Sequence, residues 1–293
     1  MKTQTLPYSN YAEQNRIDMV DFYNKATEDY GFWSHDFNMH FGYFVPFKTN
    51  PFRRDSMLNQ MNRQVIKRLH IGNTKHRLID LGCGMGATMR YALKHCKNVI
   101  AYGVTLSNFQ VQKGNELLQG KNGIILKENY NNTSFRSNSF DSAIAIESFC
   151  HSGHNYSSLK EMHRILRPGG RFVIADAFLK KEKTQLCLGG KYAYNKLCNH
   201  WNLEKLETYY FINEKLKELG FTDIKVENVS HRVAPSVLHV PFAITGFILK
   251  KLLSFKKIKS ESFHNLKGSF YALLSGLHMK SFGYYIISAT KSQ

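Results

Sequence analysis

The hydrophobic and polar positions between residues 76 and 176 alternate between two patterns. Short apolar runs rich in β-branched residues predict strands, at 77–81, 99–104, 123–126, 140–146 and 171–175. Apolar residues spaced three and four apart predict helices between them, at 86–94, 107–118 and 156–166. Strands and helices that alternate with short connections are typical of α/β proteins, so we expect a parallel sheet with right-handed crossovers.

The segments on either side of this region follow other patterns. Before it, helices are predicted around 11–29 and 51–69, and an aromatic-rich loop at 30–44 separates them. After it, the pattern predicts helices at 181–198, 206–219 and 263–277, strands at 220–226 and 284–289, and a strongly apolar stretch at 236–253. We therefore expect a helical, aromatic lid over residues 1–75 and a core over 76–293, with cap insertions near 177–220 and 231–280.

The composition places the chain among globular proteins. It has 293 residues, of which 43% are hydrophobic and 21% charged, a balance that excludes a disordered chain. The 40 basic residues outnumber the 22 acidic ones, and the net charge of +18 favours acidic partners such as nucleic acid, anionic lipid or a phosphorylated substrate. Five cysteines without a CxxC pair indicate neither a disulfide framework nor a zinc ribbon.

The first residues and the hydropathy of the chain give an expectation for its cellular location. The first residues lack the apolar core of a signal peptide, and no run of about 18 uninterrupted apolar residues occurs. We therefore expect a cytoplasmic protein without a membrane span.

The strongest chemical signal is a glycine loop at the end of the first predicted strand, in the sequence LIDLGCGMGA at 78–87. Gly82, Gly84 and Gly86 let the backbone turn tightly and approach a ligand closely, because no Cβ intervenes. Such a loop also suits a dinucleotide. Asp80 would repel a pyrophosphate but could pair with an α-ammonium group, and the second strand ends at Thr105, where a nicotinamide enzyme usually has an acid. Dinucleotide binding is therefore disfavoured.

At this point the chain resembles the class I S-adenosylmethionine (SAM)-dependent methyltransferases. Residues 80–86 match the first motif of that family, 102–110 look like its G-x-T-L-S-x-x-Q motif, and 140–147 and 166–174 match its fourth strand and the turn that follows. The resemblance implies a doubly wound fold with a mixed seven-stranded sheet, and SAM as the cofactor. It also implies these cofactor-binding residues: Asp80, Gly82, Cys83, Gly84, Thr105, Leu106, Gln110, Asn129, Tyr130 and Glu147. Asn129 stands where the family often has an adenine-binding acid.

The acceptor site is predicted at the carboxyl end of the fourth strand. Residues 145–151 resemble the I-E-x-x-C-H segment of sterol C-methyltransferases, and the loop 30–44 is similar to the aromatic amino-terminal segment of those enzymes and of tocopherol and prenyl-diphosphate methyltransferases. The leading hypothesis is C-methylation of a terpenoid or sterol-like alkene, whose carbocation aromatic faces and a carboxylate would stabilise. The candidate catalytic residues are Glu147, His151, Tyr30 and Asp176, and the candidate substrate-binding residues are Tyr23, Trp33, His40, Tyr43 and Trp201.

An alternative within the same class is O- or N-methylation of a natural product. The chain is similar here to sugar O-methyltransferases, in which His151 would be the general base and Asp176 its orienting partner. Cys150, His151 and His154 are close in sequence without a distant partner, so we expect no metal site. The chain lacks the Asn-Pro-Pro-Tyr or Asp-Pro-Pro-Tyr motif of enzymes that methylate exocyclic amines, so we expect no nucleic-acid partner.

The carboxyl-terminal region combines apolar and basic residues. Residues 231–293 contain nine Lys or Arg against the single acid Glu261, and the apolar stretch 237–249 directly precedes a lysine cluster. One interpretation is a helix at the surface of an anionic membrane, and another is a grip on a diphosphate. A core helix that ends in solvated lysines fits equally well. A hydrophobic small molecule is the expected acceptor; peripheral membrane contact and a homodimer are the other partners considered.

Overall fold

The computed structural model describes residues 30–152, 156–254 and 260–293. The predicted helix at 11–29 lies outside these ranges, as do Tyr23 and His154. The strands are β1 (His76–Leu81), β2 (Val99–Thr105), β3 (Gly123–Lys127), β4 (Phe140–Ile146), β5 (Leu166–Leu179), β6 (Phe221–Asn228) and β7 (Phe282–Lys291). The helices are α1 (Tyr30–Trp33), α2 (Arg54–Arg68), α3 (Ala87–His95), α4 (Asn108–Leu118), α5 (Ser157–Ile165), α6 (Leu188–His200), α7 (Tyr209–Glu218), α8 (Ser230–Val237), α9 (Val240–Leu253) and α10 (Ser260–Leu277).

The seven strands form one mixed sheet in the order β3-β2-β1-β4-β5-β7-β6. The neighbours from β3 to β5 pair in parallel, whereas β7 runs antiparallel to both β5 and β6. The strand order reverses next to β1, and a crevice opens there beyond the carboxyl ends of β1 and β4. The predicted doubly wound, mixed seven-stranded fold is confirmed.

The predicted strand at 171–175 is longer in the structure. It begins at Leu166, which pairs with Phe140 of β4, and it continues to Leu179, which pairs with Phe282 of β7. Apolar periodicity did not indicate this length, because the extra residues are held by cross-strand backbone pairing. The extension carries Asp176 past the edge of β4 toward the crevice.

Two hydrophobic clusters lie on opposite faces of the sheet, because successive strand residues alternate between them. Helices α5 and α7 cover one face; α2, α3 and α8 cover the other. Met61 and Val65 of α2 are fully buried against this second face. Within the described part of the chain, α2 is therefore a core helix, and it is α1 and the loop at 34–53 that contribute residues over the crevice.

A third, smaller cluster forms a cap beyond the carboxyl ends of β5 and β7. It includes Leu179, Leu186, Tyr194 and Leu197, and Trp201 packs against it. Helix α10 packs closely along α6, and a Cβ at Gly268 would lie 2.2 Å from the indole nitrogen of Trp201. The cap thus brings Trp201 over the crevice.

The apolar stretch at 236–253 forms the end of α8 and all of α9. The two helices are interrupted at Leu238 and His239, and Pro241 lies in the first turn of α9, where a missing N–H costs nothing. Taken together, Ser230–Leu253 span 24 residues with a mean hydropathy of 1.5 over the best window, which by length and composition alone is enough to cross a membrane. Polar residues such as Ser236, His239 and Thr245 interrupt this segment, so it contains no continuous apolar run of 18 residues.

Gly42 fixes the path of the loop across the crevice. A Cβ at this position would lie 2.5 Å from the Cβ of Met57 and 2.6 Å from its carbonyl carbon. The N–H of Gly42 donates to the hydroxyl of Ser236, 2.8 Å away, and so joins the loop to α8. The loop can approach α2 this closely only with glycine at position 42.

We predict that Gly42→Ala lowers the free energy of unfolding by about 1–3 kcal/mol, the usual cost of inserting a methyl group into a packed site. The matched control is Gly72→Ala, because a Cβ at exposed Gly72 meets no atom within 4 Å. Urea unfolding measures both variants. Equal stability of the two would contradict the close approach.

Candidate active site

The cofactor loop follows β1 and leads into α3. Gly82, Gly84 and Gly86 have φ angles of +82°, +53° and +73°, in the left-handed region that favours glycine. A Cβ on Gly82 would lie 2.4 Å from the Cβ of Ser148, and one on Gly84 would lie 2.9 Å from the sulfur of Met39. The glycines therefore let the backbone turn without closing the space beside it.

A cavity of about 120 Å³ lies beside this loop, at the carboxyl ends of β1, β2 and β4. It is lined by Phe37, Met39, His40, Asp80, Gly82, Cys83, Gly84, Ala87, Thr88, Thr105, Leu106, Ser107, Gln110, Tyr130, Ile146, Glu147, Ser148 and His151. The structure thus brings together nine of the ten cofactor-binding residues that the sequence predicted. Asn129 is the other, and its side-chain oxygen accepts a hydrogen bond from the N–H of Asn131, 3.0 Å away. Its contact with adenine stays a prediction.

Asp80 is the main charged group of this cavity. Its side chain is 3% exposed, and burial raises the pKa of its carboxyl to about 7. A carboxyl in this state is stabilised in its charged form by a cationic ligand. The loop glycines and Asp80 therefore fit SAM, whose α-ammonium group would pair with this carboxylate.

The polar side chains that line the cavity near the end of β2 are held in place by hydrogen bonds to one another. The hydroxyl of Thr105 donates to Oε1 of Gln110 at 2.5 Å, and the hydroxyl of Ser107 caps α4 by accepting from the N–H of Gln110. On the other side, the hydroxyl of Tyr130 donates to the carbonyl of Ser148 at 2.7 Å. These residues form a rigid wall of uncharged polar groups suited to the ribose and methionine portions of SAM.

Glu147 stands directly after β4, with φ at +48°, a value that is uncommon outside glycine and concentrates at functional sites. Its Oε1 accepts two hydrogen bonds, from the N–H of Phe41 at 2.7 Å and from the hydroxyl of Tyr284 at 2.8 Å. Burial raises the pKa of Glu147 to about 8, and the nearby carboxylate of Asp176 adds to the rise, while these two donors oppose it.

Phe41 and Tyr284 were not predicted from the sequence. Phe41 contributes its backbone N–H, which no residue pattern reveals, and Tyr284 belongs to the last strand, 137 residues further along the chain. The only sequence signal for Tyr284 is the pair of tyrosines at the start of the predicted strand 284–289.

His151 and Asp176 lie close to Glu147 but have different environments. Burial lowers the pKa of His151 to about 4, so its ring is neutral at physiological pH. Asp176 accepts hydrogen bonds from the backbone N–H groups of Cys150 and Ala177, at 2.9 and 2.7 Å, and burial raises its pKa to about 6. Asp176 therefore holds the backbone of the short segment that carries His151.

A second cavity, of about 310 Å³, adjoins the first. The two share Met39, His40, Glu147 and His151 in their walls. Most of the second wall is apolar, and its aromatic members are Phe32, Trp33, Phe41, Trp201, Phe247, Phe282 and Tyr284. A hydrophobic molecule in this cavity would therefore reach the cofactor cavity past Glu147 and His151.

Only some of the predicted substrate-binding residues that the structure describes line the second cavity. Trp33, His40 and Trp201 line the second cavity. Tyr43 is not among the described residues that line it; its ring packs against the cluster beneath α2, and its N–H donates to the carbonyl of Met57. The backbone of Tyr30 belongs to α1. The roles of Tyr30, Tyr23 and Tyr43 stay predictions.

His40 anchors the loop as well as lining both cavities. Its Nδ1 lies 2.8 Å from the carbonyl of Phe41, and its Nε2 lies 3.0 Å from Oδ1 of Asn62 on α2. Asn62 in turn donates to Asn38, and Asn38 donates to Ser34. This buried polar network fixes the loop on the core and sets the position of the Phe41 N–H that binds Glu147.

Among the residues described, no group of three or more His, Cys, Asp or Glu side chains is arranged to hold a metal ion. All five cysteines are free thiols. Cys150 lines the second cavity, and burial together with the neighbouring carboxylates of Asp176 and Glu147 raises the pKa of its thiol. Cys150 is therefore an uncharged thiol in this cavity at neutral pH.

Several known proteins that are similar to this chain are methyltransferases. The model of the methyltransferase domain family matches residues 79–174. The 24-methylenesterol C-methyltransferase 3 of Arabidopsis thaliana is 30% identical over 162 residues, which are 53% of this chain and 43% of that protein. The chain thus spans less than half the length of the first curated relatives that it matches.

Solved structures share the fold over almost the whole chain. The cyclopropane synthase MmaA2 from Mycobacterium tuberculosis has a TM-score of 0.77 at 17% identity, covering 99% of this chain and 100% of that one. Geranyl diphosphate C-methyltransferase from Streptomyces coelicolor A3(2) has a TM-score of 0.71 at 16% identity, covering 98% and 100%. Residues 79–174 therefore form a methyltransferase domain, and for this domain the predicted resemblance to class I SAM-dependent methyltransferases and the predicted SAM cofactor are confirmed.

We predict that SAM affinity depends on the protonation of Asp80. Because the pKa of this carboxyl is about 7 without ligand, protons compete with the cationic amine, and the affinity should fall by up to tenfold per pH unit below pH 7. Asp80→Asn should weaken SAM binding at least tenfold at pH 8 and remove this pH dependence. Calorimetric titration at pH 6, 7 and 8 measures both effects.

The control is Asp36→Asn, which neutralises an exposed carboxyl of the neighbouring loop and should leave SAM binding unchanged. A melting temperature at pH 8 that is not lowered by Asp80→Asn verifies that the variant is folded. Tight, pH-dependent binding by Asp80→Asn would show that another group meets the ammonium.

Proposed function

We propose that the protein transfers the methyl group of SAM to a carbon atom of a hydrophobic small molecule, a terpenoid or sterol-like alkene. The observation that carries this proposal is the large apolar cavity that meets the cofactor cavity at Glu147 and His151. Such a cavity selects its ligand by burial of apolar surface, with only a few polar groups to orient it. When bound, SAM supplies an electrophilic methyl group on a sulfonium.

The relatives support an alkene as the acceptor. The protein of A. thaliana, 30% identical over the shared region, is named as a C-methyltransferase of a methylenesterol. The structural neighbour from S. coelicolor is a C-methyltransferase of geranyl diphosphate, and it was solved with that molecule bound. Sterols and prenyl chains are both isoprenoid alkenes, which is the class that the wide aromatic cavity suits.

Glu147 is suited to stabilise the carbocation that forms in this reaction and to accept its proton. Methylation of an alkene leaves a positive charge on the acceptor until a neighbouring C–H gives up its proton. A buried carboxylate stabilises such a charge strongly, because the surroundings have a low dielectric constant. With its pKa raised to about 8, Glu147 is mainly protonated at neutral pH without ligand, and the positive charge of bound SAM would favour its ionised form. That ionised form is a stronger base than an exposed glutamate. It can therefore stabilise the cation and accept the proton.

The aromatic wall provides further stabilisation of a cation. Trp33, Phe41 and Trp201 line the same cavity as Glu147, and a cation near the face of such a ring is attracted by about 0.5–2 kcal/mol. The guanidinium of Arg54 lies 4.5 Å from the ring centroid of Trp33, and Phe41 meets Trp33 edge to face. Trp33 is thus held in a fixed orientation at the end of α1.

O- or N-methylation is the second candidate, because His151 lines both cavities. A general base for an alcohol works best with a pKa near neutrality. Burial lowers the pKa of His151 to about 4, so its ring is a weak base in the structure. The electrostatics therefore favour Glu147 as the working base and place this alternative second.

We predict that Glu147→Gln lowers turnover at least 100-fold, because the amide keeps the size and an acceptor oxygen but lacks the charge. His151→Ala should lower turnover less than tenfold. The assay incubates each variant with methyl-labelled SAM and squalene, a Δ24-sterol or geranyl diphosphate, and mass spectrometry locates the new bond.

The matched control is Glu116→Gln on the exposed side of α4, which should have wild-type turnover. The opposite ranking of Glu147→Gln and His151→Ala would establish O- or N-methylation with His151 as the base. Losses below tenfold in both variants, equivalent to about 1.4 kcal/mol, would show that both catalytic assignments are wrong.

A further inference from the structure

We propose that the outer face of α9, with the adjoining loop at 44–53, docks on an anionic lipid bilayer, and that this places the apolar cavity at the membrane surface. We call this surface the docking face and define it by Phe47, Phe52, Phe242, Leu249, Leu252 and Leu253. The bilayer as the source of the acceptor rests on the proposed function. The docking itself rests on the surface described below.

Helix α9 is apolar on both of its sides. Val240 and Phe247 point inward and are buried, and Ala243 and Ile244 line the large cavity beside them. Phe242 is 78% exposed and Leu249 is 54% exposed on the other side. A helix that is apolar all round is normally buried on all sides, so the outer side of α9 lacks an apolar partner among the described residues.

The loop before α2 extends this exposed surface. The ring of His239, at the start of α9, donates from Nε2 to the carbonyl of Pro51 at 2.6 Å, and this bond holds the loop against the helix. Phe47 and Phe52 project from the same loop, and both are almost fully exposed. Large exposed aromatic residues next to an exposed apolar helix form a patch typical of a membrane or protein interaction site.

The charge around the patch favours an anionic membrane. Neither 44–53 nor 230–254 contains an Asp or Glu, whereas Lys48, Arg53 and Lys250 are exposed beside the apolar residues. Basic residues near an anionic surface strengthen binding to it, and apolar side chains inserted at the headgroup level add to this. Exposed apolar side chains flanked by basic residues alone are typical of surfaces that insert at the headgroup level of an anionic bilayer.

The contacts of α8 and α9 indicate that the pair lies along the membrane surface and does not cross it. The N–H of Gly42 donates to Ser236, and the N–H of Phe44 donates to the carbonyl of Arg232 at 2.7 Å. With the inner side of α9 forming the cavity wall, only its outer side is available to lipid. The length and hydropathy of Ser230–Leu253 are thus explained by a helix that is apolar toward the cavity and toward the bilayer.

Leu238 connects the docking face with the cavity. It lies in the break between α8 and α9, it is 59% exposed, and it also lines the cavity. The rim of the cavity therefore reaches the exposed apolar surface. An isoprenoid dissolved in a bilayer could enter the cavity at this point without passing through water.

The test is flotation of the purified full-length protein with vesicles of phosphatidylcholine alone or with 30% phosphatidylserine, without SAM or acceptor. We expect binding to the anionic vesicles to be at least tenfold stronger, and to weaken when NaCl is raised from 0.1 to 0.5 M. Phe242→Glu with Leu249→Glu should weaken it at least tenfold. Lys250→Ala should weaken it about fivefold on anionic vesicles only.

The control is Tyr210→Glu, which places one negative charge at an exposed aromatic of α7, on the opposite side of the sheet. This variant should bind vesicles as the wild type does, and thermal melts verify that all variants fold. Failure of the wild type to float, or equal loss in Tyr210→Glu, would overturn the proposal. A wild-type dimer that Phe242→Glu with Leu249→Glu converts to monomer, without vesicle binding, would identify the face as a contact between two copies and also overturn it.

A second readout separates this inference from the proposed function. With the acceptor in anionic vesicles, Phe242→Glu with Leu249→Glu should lower kcat/KM about tenfold, while an acceptor delivered by cyclodextrin should be methylated at the wild-type rate. Neither residue lines the cavity among those the structure describes, so the chemistry should be intact. Flotation without methylation of any isoprenoid would overturn the proposed function alone; methylation without flotation would overturn the docking alone.

Discussion

The buried carboxyl of Glu147 is the point on which the architecture of the site depends. It joins three distant parts of the chain, because it follows β4 and accepts hydrogen bonds from Phe41 in the loop at 34–53 and from Tyr284 in β7. A charge in this position is costly unless it is paired. The two donors offset part of that cost, and a cation in either cavity would offset more. Glu147 therefore makes the junction of the two cavities a site that favours positive charge.

The division into two cavities follows from this arrangement. On one side, the glycine loop and Asp80 form a polar space for a cationic, nucleoside-containing cofactor. On the other, aromatic and aliphatic residues of the loop, the cap and α8–α10 form a larger apolar space. Glu147 and His151 line both spaces, and their differing pKa values assign them different chemistry. The same helices that close the apolar space also present apolar surface outward.

The sequence predicted those features that depend on local pattern. Strand and helix alternation, the left-handed glycines after β1, and Glu147 at the end of β4 all follow from residues close together in the chain. The hydrogen bonds that hold the Glu147 carboxyl do not follow from local pattern, because their donors are a backbone N–H 106 residues away and a hydroxyl 137 residues away. The core position of α2 and the two-sided apolar surface of α9 were also not predicted, because helical periodicity does not say which neighbour each side meets. Tyr43 illustrates the same limit, because the loop sequence does not reveal that this side chain packs against the cluster beneath α2.

The central claim, that a hydrophobic molecule receives the methyl group, is tested most directly by a partition experiment. Purified protein is incubated with methyl-labelled SAM and a crude extract, and the label is then measured in the organic, aqueous and nucleic-acid fractions. The account predicts label in the organic phase, in a product whose new bond joins two carbon atoms. Label confined to the aqueous or nucleic-acid fraction would leave the fold and the cofactor site standing and would contradict a hydrophobic acceptor.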